Sequence, residues 1–188
     1  MRTAYIGMGA NLPSWAGEPE STVTAAALRL ESLGRLTARS SLYSTEPVGC
    51  AEQPWFVNAV VALETALEAH ELLESLLAIE REFGRERSAG LVNGPRTLDL
   101  DILLFGNVRI SELGLEIPHP RLAERTFVLI PLCEIAPRNL DAGGGKTVAQ
   151  LLHSLSTFPG SQTDAVVKIQ TDALPVGDDR GVAFPGAG

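Results

Sequence analysis

Apolar positions recur along the chain with periods of two and of three to four, and the changes of period lay out its elements. Ala4, Ile6 and Met8 alternate with Thr3, Tyr5, Gly7 and Gly9, which predicts a strand over 3–9 with one thin face. The side chains missing from that face leave room for a ligand. Val23, Ala26, Ala27, Leu30 and Leu33 follow at helical spacing between Pro19 and Gly34, predicting a core-packed helix. Residues 36–45 read as a strand of mixed polarity, and 46–55 as a loop closed by two prolines whose length suits a functional segment. Over 56–65, Val57, Ala59, Val61 and Leu63 take one face and Phe56, Asn58, Val60 and Ala62 the other, the mark of a strand. Leu72, Leu76, Ile79 and Phe83 form the stripe of a second helix over 69–83, stopped by Gly84, with Glu80 at the stripe's border.

After an aperiodic loop, 85–93, the pattern returns to a period of two. Leu98, Leu100 and Ile102 alternate with Thr97, Asp99 and Asp101, so both carboxylates share one face of a strand. From Ile102 to Phe105 both faces turn apolar, which predicts a central strand. Further on, Val128 to Ala136 reads as a helix shortened or kinked by Pro131 and closed by Pro137, and Val148, Leu151, Leu152 and Leu155 as a last short helix. Residues 1–158 form one domain on this reading, and 159–188 a loosely ordered tail. The order strand, helix, strand, strand, helix, strand matches two split β-α-β units. That predicts an α+β ferredoxin-like sandwich, a mostly antiparallel sheet with helices packed on one face and a ligand site on the open side.

Candidate chemistry centres on the carboxylate pair. Two like charges at the mouth of a buried strand are costly unless a cation lies between them. Mg²⁺ takes one or two carboxylates and lets substrate phosphates complete its shell, and Arg96 adds a planar fork for phosphate oxygens. The residues alone also fit a solvated strand face beside Arg96. Asn58, on an otherwise apolar strand face, either bonds a neighbouring loop or reads the edge of a heterocycle. His119, held between Pro118 and Pro120, is either a surface loop residue or a ligand contact. Gly7-x-Gly9 has Leu12 where a dinucleotide fingerprint needs its third glycine, so a Rossmann site is excluded.

Composition narrows the partners. At 188 residues, 45% hydrophobic and 20% charged, the chain suits one globular domain. A net charge of −8 argues against a general nucleic-acid binder, although Arg81, Arg85, Arg87 and Arg96 gather just before and beside the carboxylates. This suits a small polyanion with a metal. Cys50 and Cys133 have no metal or disulfide spacing and read as free thiols. The N-terminal stretch lacks the pattern of a signal peptide and no apolar run reaches membrane-spanning length. A cytoplasmic monomer with small-molecule partners, no nucleic acid and no membrane is expected.

From residue 3 to about 156 the chain resembles the 6-hydroxymethyl-7,8-dihydropterin pyrophosphokinase family of folate biosynthesis. The likeness rests on Gly94-Pro95-Arg96-Thr97-Leu98-Asp99-Leu100-Asp101-Ile102, on Pro118-His119-Pro120-Arg121 and on Arg125-Thr126-Phe127-Val128-Leu129. Gly9-Ala10-Asn11-Leu12, Ser41-Leu42-Tyr43-Ser44-Thr45 and Phe56-Val57-Asn58-Ala59 fall where that family has similar segments. The resemblance implies transfer of the β,γ-diphosphate of ATP to the pterin hydroxymethyl group, with release of AMP. It implies two Mg²⁺ ions on Asp99 and Asp101, and a catalytic set of Arg85, Arg96, Asp99 and Asp101. ATP is expected at Arg85, Arg96, Ile102, His119 and Arg125, and the pterin at Thr45, Val48, Phe56, Asn58 and Phe127. Leu91-Val92-Asn93 depart from the family, which often has a basic residue before the glycine. A non-catalytic ligand-binding module and a metal-dependent phosphohydrolase are the competing expectations.

Overall fold

The computed structural model describes residues 1–47, 52–85, 94–138, 145–157 and 165–170. The elements are β1 (Arg2–Ala10), α1 (Pro19–Leu30), β2 (Arg35–Arg39), β3 (Tyr43–Thr45), β4 (Phe56–Thr65), α2 (Ala69–Glu82), β5 (Asp99–Phe105), β6 (Ile110–Glu112), β7 (Leu115–Ile117), α3 (Thr126–Ile135), α4 (Val148–Thr157) and β8 (Val166–Lys168). The main sheet runs β5-β1-β4-β3-β8, with β2 also on β4, and β6 and β7 form a separate hairpin. Every pairing is antiparallel, so the expected α+β sandwich is present.

One face of the sheet is sealed. Ile6, Leu63, Leu100 and Ile102 pack there with Leu30, Leu72, Leu76 and Ile79 in the main core, placing α1 and α2 beneath it. α2 starts in a capping box of Glu68 and Glu71. It ends in a Schellman turn, where Gly84 at φ +81° lets its own N–H reach Arg81 O and that of Arg85 reach Glu80 O. Arg85 therefore leaves the helix in a set direction.

The second face carries helices too. Val60, Leu103 and Leu104 make an apolar patch that α3 and α4 cover with Val128, Leu129, Leu132 and Val148. Only the part of this face beyond α3 stays open. That patch exists because β5 has a bulge: its register against β1 shifts between Tyr5 and Ile6, leaving Leu103 as the extra residue. Ile102 and Phe105 consequently both face the main core, while Leu103 and Leu104 both face α3 and α4.

Three expectations are corrected. The doubly apolar end of β5 pointed to a central strand, yet β5 is an edge. Layers above and below bury both its faces, and burial of faces requires no neighbour on the outer edge. Residues 36–45 divide into β2 and β3, both on β4. Between them the Ser40 N–H donates to Val60 O and Ser40 Oγ accepts from the Val60 N–H, each at 2.9 Å, so a hydroxyl replaces one ladder bond. Within the stretch read as a loose tail, Val166–Lys168 pairs with β3 as an edge strand. The rest of that stretch, 159–164 and 171–188, and nearly all of the loop 85–93 lie outside the described residues. Among the described residues no helix is long and apolar enough to cross a membrane.

Candidate active site

The open part of the second face is a cleft of about 330 Å³. Its floor is β1, where Gly7 pairs with Asp101 on one side and Val60 on the other, and Gly9 with Asp99 and Asn58. A Cβ on Gly9 would lie 2.8 Å from Asn58 Oδ1, and one on Gly7 would lie 3.3 Å from a Leu103 methyl. The thin face foreseen from the glycines is this floor.

At one end of the cleft the charged residues converge. Asp99 Oδ1 accepts from Arg85 Nη1 at 2.5 Å, and Arg96 Nη1 is 3.2 Å from Asp99 Oδ2. The same Arg85 nitrogen reaches Glu80 Oε1, which also accepts the Leu100 N–H at 2.8 Å. Glu80 is only 2% exposed, a buried charge that is paired and hydrogen-bonded. It satisfies an amide on the outer edge of β5 and aims Arg85 at Asp99. Burial lowers the Arg85 pKa, but Asp99 and Glu80 outweigh it and hold the guanidinium charged.

Asp101 is held less tightly. Its Oδ2 is 3.9 Å from His119 Nε2 and 4.0 Å from Arg125 Nη1, beyond hydrogen-bond reach. Burial and the neighbouring Asp99 charge push its carboxyl up to about 6, although 41% of the side chain opens to the cleft, where solvent tempers the effect. His119 is shifted the other way, to about 4, by burial and by Arg125. Its Nδ1 accepts the Arg121 N–H at 3.1 Å, so the neutral ring carries its proton on Nε2, facing Asp101. Burial and Arg121 lower the Arg125 pKa as well. Asp99 is thus paired with arginines, whereas Asp101 turns its oxygens to the cleft, with the nearest described basic groups at 3.9 and 4.0 Å.

That pattern fits Mg²⁺. Among the described residues no three acidic, His or Cys side chains form a ready cage. Glu80 is occupied with Arg85 and a backbone amide. Two carboxylates on one face, opening into a cleft that can take phosphates, are a usual protein contribution to a Mg²⁺ site. Among the described residues, buried Arg96 Nε has no hydrogen-bond partner.

The rest of the cleft carries aromatic and amide groups. Phe56 and Phe127 line it with Thr45 and Asn58. Arg96 lies 5.3 Å from the Phe56 ring centroid and Arg125 lies 5.6 Å from that of Phe127, so the arginine and aromatic ends adjoin. Asn58 Nδ2 donates to Thr45 Oγ1 at 2.6 Å. Arg85, Arg96, Asp99, Asp101, His119, Arg125, Thr45, Phe56, Asn58 and Phe127 are therefore brought together as expected. Ile102 is not among them: its side chain is packed in the main core, 5% exposed, because alternation from Asp101 turns it away. Val48 and Arg87 lie outside the described residues. Arg81 is exposed on α2, away from the cleft.

Two residues were missed as functional. Glu80 sat at the edge of a helical stripe, where periodicity cannot separate burial from exposure. Asn11 has a clearer signal, a carboxamide directly after a strand. Its Oδ1 accepts the Arg96 N–H at 2.7 Å and its Nδ2 donates to Gln53 Oε1 at 3.2 Å and Pro54 O at 3.1 Å. It thereby ties the Arg96 segment to the loop before Phe56.

Comparison with known proteins decides the family. The model of the 7,8-dihydro-6-hydroxymethylpterin-pyrophosphokinase family matches residues 5–137. The chain belongs to this family. A Pseudomonas aeruginosa 2-amino-4-hydroxy-6-hydroxymethyldihydropteridine pyrophosphokinase is 44% identical over 154 residues, 81% of this chain and 91% of that protein. The Bacillus subtilis protein of the same name is 44% identical over 134 residues, 70% of this chain and 77% of the relative. A mitochondrial folate synthesis bifunctional protein of Arabidopsis thaliana is 45% identical over 155 residues, which cover 81% of this chain and 27% of that protein. The crystal structure of wild-type Plasmodium falciparum HPPK-DHPS matches 82% of this chain and 43% of its own, with a TM-score of 0.60 at 15% identity, a likeness of fold. The 7,8-dihydro-6-hydroxymethylpterin-pyrophosphokinase match ends at residue 137, so α4 and β8 follow it in the chain.

Proposed function

We propose that this chain transfers the terminal diphosphate of ATP to the hydroxymethyl oxygen of 6-hydroxymethyl-7,8-dihydropterin, releasing AMP, in folate biosynthesis. One observation carries the reading: a single cleft, in a chain of this family, is lined by a carboxylate pair beside arginines and by Asn58, Phe56 and Phe127.

Asp99 and Asp101 hold Mg²⁺, with two ions expected. Mg²⁺ held by these carboxylates would supply positive charge to neutralise the phosphate oxygens. Arg85 and Arg96 present guanidinium forks to the same phosphates, and a preset charge costs no reorganisation as the bond changes. His119 offers its Nε2 proton, and Arg125 adds a cation, beside the same Asp101 oxygen. The pterin lies between Phe56 and Phe127, each good aromatic face contributing on the order of 1 kcal/mol. Asn58 selects the ring, since a wrong edge would leave its buried amide unpaired. Residues 1–158 form the catalytic domain, acting as a cytoplasmic monomer on small molecules, with no nucleic acid or membrane partner.

The test is an assay of the purified protein with ATP, Mg²⁺ and the pterin, following AMP and pterin diphosphate. Equal amounts of the two are expected. ADP in place of AMP, or phosphate released without pterin, overturns the assignment and favours a phosphohydrolase. Binding of both substrates without turnover favours a binding module.

A further inference from the structure

The carboxylate of Glu134, near the end of α3, collects four donors from outside its own helix. Oε2 accepts the Ser41 N–H and the Tyr43 hydroxyl, each at 2.9 Å, and Oε1 accepts Ser41 Oγ at 2.8 Å and Lys168 Nζ at 3.2 Å. These donors come from the segment before β3, from β3 itself and from β8. None of them lines the cleft. Tyr43 is 7% exposed, whereas the Lys168 side chain is 57% exposed. An exposed ammonium pair contributes little, so the Tyr43 and Ser41 bonds carry the contact.

This clamp joins the two walls of the pterin end. α3 presents Arg125 at its N-cap and Phe127 in its first turn. On the opposite wall, Tyr43 is the direct cross-strand partner of Asn58, and Thr45, two residues on and on the same face, accepts the Asn58 amide. β3 is only three residues long. Its outer edge is held by β8 through Tyr43 opposite Lys168 and Thr45 opposite Val166, and by the Glu46 N–H to Ala165 O at 3.2 Å. So short a strand has few bonds of its own to resist displacement, and the tie to α3 sets where Thr45 and Asn58 stand relative to Phe127.

We propose that Glu134, acting through Tyr43, is a positioning residue for the pterin: it clamps α3 to β3 and so fixes the Asn58 amide and the Phe127 ring across the slot. The inference rests on the function proposed above and adds a residue that touches neither substrate. It predicts a kinetic split weighted toward the pterin, because Arg85, Arg96, Asp99 and Asp101 at the phosphate end belong to β5, the segment before it and the end of α2, which the clamp does not contact, with Arg125 at the N-cap of α3 the one exception.

The experiment is steady-state kinetics on the full chain and on Tyr43→Phe, Glu134→Gln, the double variant and Lys168→Met, with thermal unfolding of each. In both Tyr43→Phe and Glu134→Gln, KM for the pterin should rise about three- to tenfold, with kcat and the ATP KM within about twofold of the parent. The double variant should be no worse than the worse single variant, and Lys168→Met close to the parent. An unchanged pterin KM in the single variants overturns the proposal. So does a joint fall in kcat and thermal stability with a rise in both KM values, which marks a merely structural contact. Should Glu134→Gln fail to fold, Tyr43→Phe, which removes one oxygen, decides alone. A parent chain that makes no AMP and pterin diphosphate sinks the proposed function instead, so the two failures are distinguishable.

Discussion

The two faces of β5 divide the work of the protein between alternate residues. Leu98, Leu100 and Ile102 turn to α1 and α2 and are at most 5% exposed, whereas Asp99 and Asp101 turn to the cleft. Neighbours in sequence thus sit in opposite environments, one dry and close-packed, the other charged and open. The first face stabilises the fold through burial. The second works against it, since two carboxylates and their arginines stand partly desolvated around a space for phosphates. A strand can carry such chemistry at small cost to the fold when the face it offers is backed by a complete core on the other.

The largest effect should come from the charged face. Asp101→Asn keeps the shape of the side chain and removes a charge that, among the described residues, has no cation within hydrogen-bond distance. Turnover should fall on the order of 10³-fold or more, while thermal stability near neutral pH stays level or rises. A variant that loses stability in proportion to activity would erase the division between the faces.

Leu100→Ala probes the other side of the same strand. Truncating this buried leucine should cost about 2–5 kcal/mol in denaturant unfolding. Turnover per folded molecule should change far less than in Asp101→Asn. If both variants lose activity and stability together, the two faces are not separable.

A smaller effect sharpens the contrast within the charged face. The Asp101 carboxyl is raised to about 6 in the folded chain, so its contribution to stability is present at low pH and is lost as pH rises through 6. His119 is lowered to about 4, so its contribution is present above its ordinary value of 6.5 and is lost as pH falls toward 4. Between about pH 4 and about pH 6 the two oppose each other. Relative to the parent, Asp101→Asn should lose stability on acidification through this window, and His119→Gln should gain it. Thermal unfolding at several pH values reads both slopes, and parallel curves for all three proteins would show that neither group is shifted in the fold.

Much of this arrangement was legible in the chain. Period-two alternation located β1, β4 and β5 and put Asp99 and Asp101 on one face, because side-chain direction in a strand follows from covalent geometry alone. The bulge in β5 was not legible, because Leu103, Leu104 and Phe105 are all apolar and the pattern does not say which of them shares the face of Ile102. Family motifs supplied the roles expected of Asn58, His119 and Phe127. Glu80 was not legible, because the border of a helical stripe becomes buried or exposed according to what packs there.

By itself, then, the sequence determined the local periods, the turns at Gly34 and Gly84, the paired carboxylates and the family. Each follows from interactions over a few residues or from a matched motif. Only the tertiary structure decided that β5 is an edge strand, that α3 and α4 cover part of the second face, and that Glu134 ties β3 and β8 to α3. Those depend on which surfaces meet across long separations in the chain, and burial of a surface is set by its partner as much as by its own residues.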